Sequence, residues 1–112
     1  MEYTYRKRLR ALDHSLAQLT DSLAYIDAGI AQKMEVLADA QRLLPRVHAL
    51  VNIDERERER LRMGLENTIS TMTQQLNELN RRRKESAELL QLVKESRAGV
   101  PEPMWWNLLG HI

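Results

Sequence analysis

Apolar residues recur along the first half of the chain in alternating steps of four and three, at Tyr5, Leu9, Leu12, Leu16, Leu19, Leu23, Ile26, Ile30, Leu37, Ala40, Leu44, Val47 and Val51. Lys33 is the one interruption. A repeat held at a mean of about 3.5 residues predicts a helix whose apolar seam runs along another helix, because slight supercoiling keeps such a seam facing its partner. The first helix is expected over residues 3–43, because Pro45 has no amide hydrogen to donate and pushes Leu44 away from helical geometry. A short broken connection then spans residues 45–52.

A second stripe reads Leu61, Leu65, Ile69, Met72, Leu76, Leu79, Ala87, Leu90 and Val93, and predicts a helix over 54–98. Asn52 or Asp54 can cap its start, and Asp54, Glu55 and Glu57 place negative charge at the positive end of the helix dipole. Gly99, expected in the left-handed conformation, Val100 and Pro101 form the stop. Two long helices joined by so few residues predict an all-α fold, an antiparallel hairpin over residues 1–98 followed by a tail over 99–112.

A turn centred near residue 49 sets Lys33 near Leu65 and Glu66, and Arg83 near Ser15. Asp13 and Glu66 are then the expected partners of these two cations on the seam, where a polar position can fix register. Snorkelling without a partner and contact with another subunit are the alternatives for both. Met34, Val36, Leu43, Leu50, Met63, Leu89 and Leu92 fall off the primary seam, and two helices side by side leave them partly wet. A bundle completed by further helices is therefore expected. Its protein-facing residues are Leu9, Leu16, Leu23, Ile30 and Leu37 on the first helix and Leu65, Ile69, Met72, Leu76 and Leu79 on the second.

Composition narrows the function classes. The 112 residues contain no Phe and no Cys, which excludes disulfides and thiolate chemistry. The 17 basic and 16 acidic residues nearly cancel, so net charge gives no general pull toward nucleic acid or membrane. No apolar run is long enough to span a bilayer, and an intracellular protein, cytoplasmic or nuclear, is the expectation. His14, His48 and His111 stand far apart, and Gly29, Gly64, Gly99 and Gly110 are isolated, so neither a metal motif nor a phosphate loop is present. A helical rod has no concave pocket to shelter a nucleophile. No cofactor and no enzymatic activity are expected.

Two basic clusters, Arg6, Lys7, Arg8, Arg10 and Arg81, Arg82, Arg83, Lys84, read as solvated helix faces or as landing sites for an acidic protein tail. A nucleic-acid backbone is disfavoured because no aromatic residues interleave with them. The segment DERERERLR supplies i,i+3 pairs such as Glu55 with Arg58 and Glu59 with Arg62. In the tail, Trp105, Leu108, Leu109 and Ile112 follow the anchor spacing of a short helix in a groove, with Trp106 beside them. That tail folds back near Tyr3 and Tyr5, docks on a partner, or lies on a membrane surface.

The layout of two long helices, with Leu16, Leu19, Asp21-Ser22-Leu23 and Ile26-Asp27-Ala28-Gly29-Ile30 in the first, resembles small helical subunits of the DASH microtubule-ring complex of the kinetochore. It also looks like small helical subunits of Mediator and of lysosome-positioning complexes. These resemblances imply a non-catalytic scaffold or adaptor subunit that folds with other helical chains. The rival expectation is a homodimeric helical chaperone or secretion cofactor that captures an amphipathic client segment.

Overall fold

The structure is a computed structural model that describes residues 2–100, with side chains from Thr4 onward. The expected docking tail, with Trp105, Trp106, Leu108 and Leu109, lies outside the described residues from Pro101 on. Two helices make up the described chain, α1 over Glu2–His48 and α2 over Glu55–Ala98. There is no strand among the described residues.

The expected break at Pro45 does not occur, and α1 continues to His48. The missing amide hydrogen removes a single bond one turn from the end, where the ladder is about to stop in any case. The end itself tightens. The amide of Ala49 donates to the carbonyls of both Pro45 and Arg46 at 3.2 Å, and that of Leu50 donates to Val47 at 3.3 Å. Arg46 and His48 put positive charge against these last carbonyls. Val51, expected on the seam, is 86% exposed in the connecting loop.

Asp54 is the cap residue of α2, its carbonyl accepting the first helical bond from Arg58 at 2.9 Å, and Glu55 and Glu57 follow in the first turn. At the other end Gly99 does not take the expected left-handed conformation, and no described glycine has a positive φ. Continued right-handed winding satisfies the last carbonyls instead. The amide of Gly99 donates to Glu95 at 2.9 Å and that of Val100 donates to Arg97 at 3.3 Å, which leaves the Val100 side chain buried.

The chain divides into two units, each drawing on both helices. The first takes the chain up to Leu23 and from Glu85 onward, and the second is Ala24–Lys84. In the first unit Leu9, Leu12, Leu16, Leu19 and Leu23 of α1 and Ala87, Leu90 and Val93 of α2 are half-buried. In the second, Ile26, Ile30, Leu37 and Leu44 of α1 and Leu65, Ile69, Met72 and Leu79 of α2 are half-buried, while Ala40, Val47 and Leu76 are buried. Among the described residues no side chain is fully buried. Pairing two helices covers one stripe of each and goes no further.

Candidate interaction surface

Apolar groups outside the stripes stay in water. In the second unit Met34 is 57% exposed and Met63 52%, and Tyr25, Val36, Leu43, Leu50 and Leu61 are exposed as well. In the first unit Leu89 and Leu92 are exposed and stand three residues apart on α2, so they share one helix face. Tyr25 and Leu61 had carried no signal of exposure, since Tyr25 stands alone and Leu61 opens the α2 stripe. Each sits where a single neighbouring helix does not reach.

The loop that presents Leu50 and Val51 is held by Arg58, whose guanidinium donates to the carbonyl of Leu50 and, at 2.9 Å, to Glu55. This contact from the first turn of α2 back to the loop has no counterpart in local sequence patterns. Spacing alone placed Glu55 beside Arg58.

Several charged side chains pair along their own helix. Glu57 pairs with Arg60 at 2.6 Å, and Arg62 bridges Glu59 and Glu66, the latter at 2.7 Å. Hydrogen bonding from Arg62 holds the Glu59 carboxyl below the usual carboxylate range. Arg81 and Arg82 both donate to Glu78, at 2.5 and 3.2 Å, and hold its carboxyl low as well. Arg6, Lys7, Arg8, Arg10 and Lys84 are exposed on their helices.

Among the described residues, Arg83 and Arg97 each form an ion pair across the helices, and neither pair is the one expected. In the second unit Arg83 donates to Asp27 at 2.6 Å, about three turns along α1 from Ser15. In the first unit Arg97 donates to Asp13 at 2.9 Å. Glu66 is held by Arg62, and Lys33 is half-buried beside a shallow groove lined by Gln74, Gln75, Glu78, Leu79 and Arg82 rather than lying near Leu65 and Glu66. Two physical causes account for the difference. The turn comes later than a break at Pro45 implies. Helical side chains also lean toward the N-terminus of their own helix, so a long Arg meets a carboxylate beyond the residue straight across.

Among the described residues no three His, Asp or Glu side chains are placed to hold a metal ion, and no helix is long and apolar enough to cross a membrane. The grooves lined by Glu55, Arg56, Glu59, Arg60 and Met63 and by the Lys33 set are open surface features. Comparison with protein-family models, curated proteins and solved structures finds no match.

Proposed function

We propose that this chain is a non-catalytic scaffold or adaptor subunit whose helices complete a bundle with other helical proteins. The observation that carries this reading is the imbalance between core and surface. Four apolar side chains are buried among the described residues, while ten large ones are exposed. Burial of apolar area is the main force available to hold such a fold, at roughly 25 cal/mol per Å². A pair of helices with so thin a core gains its remaining stability by covering Tyr25, Val36, Leu43, Leu89 and Leu92 against further helices.

In that assembly the heptad positions Leu9, Leu16, Leu23, Ile30 and Leu37 of α1 and Leu65, Ile69, Met72, Leu76 and Leu79 of α2 form the seam, and the exposed set forms its outer flank. Different partner chains are favoured over a second copy. A kinetochore or microtubule-associated setting follows only from the resemblance in layout.

Native mass spectrometry of the chain expressed alone, compared with the chain co-expressed with candidate helical partners, tests the proposal. A weakly helical or aggregating chain that becomes a defined complex on co-expression is the expected result. A stable, discrete homodimer from the chain alone overturns it and supports the homodimeric chaperone reading.

A further inference from the structure

The two cross-helix ion pairs are related by the heptad repeat. Asp13 and Asp27 stand fourteen residues apart on α1, and Arg83 and Arg97 stand fourteen apart on α2. Each unit holds one pair, Asp13 with Arg97 in the first and Asp27 with Arg83 in the second, and the chain directions are opposed in both. The other ion pairs described join residues three or four apart on one helix.

A leucine-rich seam has a weakness that these pairs address. Because its apolar residues repeat every seven, sliding one helix along the other by a heptad sets Leu against Leu again and loses little packing. We propose that the Asp13–Arg97 and Asp27–Arg83 pairs select the register of the hairpin, excluding the heptad-slipped alternatives that the apolar stripe tolerates. A slip of seven residues in one direction sets Asp27 where it meets Leu76 and Asp13 where it meets Leu90. Both carboxylates then lie against apolar side chains, and both arginines lose their partners. A slip of fourteen returns Asp27 to Arg97 but strands Asp13 and Arg83, and it sacrifices roughly 20 Å of helix overlap.

The device acts through discrimination rather than through gross stability. The side chains of Asp27 and Arg83 are each 51% exposed, and ion pairs in that setting contribute little to the folded state. Their effect is the difference between the paired register and its competitors. Arg83 and Arg97 also fall at heptad spacing with the apolar stripe of α2, where leucine continues the repeat. Replacing them should therefore loosen register without costing stability. The inference concerns the chain's own hairpin and stands whether or not other subunits complete a bundle.

The full chain, which has no native cysteine, takes nitroxide labels at Ala28→Cys and Asn67→Cys, both exposed positions of the second unit. Their separation runs largely along the helix direction, so a heptad slip shifts it by about 10 Å. The parent is expected to give one distance. The double variant Arg83→Leu, Arg97→Leu is expected to melt at an equal or higher temperature and to show a second distance about 10 Å away. A single unchanged distance in that variant overturns the proposal, whatever its melting temperature. The exchange Asp27→Arg with Arg83→Asp keeps the pair with its charges reversed and is expected to retain the parent distance. A slipped distance there also overturns it. Should the leucine variant fail to fold, Arg83→Gln with Arg97→Gln takes its place, with the second distance expected and a single parent distance overturning.

Discussion

The two helices present unlike faces to each other. From Tyr5 to Val47 the less exposed line of α1 is apolar except for Ser15, Gly29 and Lys33. The less exposed line of α2 includes Arg58, Arg62, Ser86 and Arg97 among its leucines. An apolar stripe holds whatever fits it, since burial is non-directional, whereas a charged group in the stripe is tolerated in few arrangements. The contrast separates two tasks. One helix supplies adhesion, and the other supplies much of the polar punctuation.

The largest expected effect comes from a charge placed among the leucines of the α2 stripe. Leu76 is buried, 8% exposed, and Leu76→Asp puts a carboxylate at a buried apolar position. A loss of about 3 kcal/mol or more is expected, read as a collapse of the denaturant midpoint followed by circular dichroism. Leu23→Asp, at a half-buried position of the first unit, should cost less. Equal losses at the two sites mean that the difference in burial does not set the strength of the stripe.

A second variant tests the end of α1. Pro45 lies inside the helix but only one turn from His48, so the penalty of about 3 kcal/mol for an interior proline is felt in part. Pro45→Ala should raise stability by about 1 kcal/mol with little change in helical content. A large gain in helicity means instead that α1 is broken at that point in solution.

These same features show what the amino-acid pattern conveys and what it withholds. Two long helices were legible because the 3.5-residue period persists over many turns, and the wetness of Met34, Val36, Leu43, Leu50, Met63, Leu89 and Leu92 followed from their angle to the stripe. The end of α1 was hidden because a proline's cost depends on how many bonds lie beyond it, which only the completed helix reveals. Gly99 misled for a related reason, since the amides of Gly99 and Val100 satisfy the last carbonyls without a left-handed residue. The partners of Arg83 and Arg97 were hidden by the register, which depends on the turn and on the lean of the side chains. The equal fourteen-residue spacings of Asp13 and Asp27 and of Arg83 and Arg97 were available in the sequence as a signal.

Two glycines sharpen the comparison at smaller scale. A Cβ added at Gly29 of α1 meets Leu79 Cδ1 of α2 at 3.7 Å, an ordinary van der Waals distance, whereas one added at Gly64 of α2 meets nothing within 4 Å. Both substitutions to alanine relieve the helix of glycine's backbone freedom, worth about 0.5 to 1 kcal/mol. Gly29→Ala should gain at the upper end of that range through the added contact and Gly64→Ala at the lower end, as measured by urea titration. A loss at Gly29 means that the helices lie closer than the structure describes.

The smallest effect concerns acid. Glu59 and Glu78, both on α2, have carboxyls held below the usual range, Glu59 chiefly by its hydrogen bond with Arg62 and Glu78 chiefly by its hydrogen bond with Arg81. Folding thus favours their charged forms. The stability they add is complete above the ordinary carboxylate range and drains away as pH falls through the lowered folded values. Half-exposed carboxylates and screening by salt keep this contribution slight. Melting temperature should decline modestly between about pH 5 and pH 3, and Glu59→Gln with Glu78→Gln should flatten part of that decline while lowering the plateau at neutral pH. If the double variant keeps the parent's full slope, the hydrogen bonds from Arg62 and Arg81 do not set the acid response.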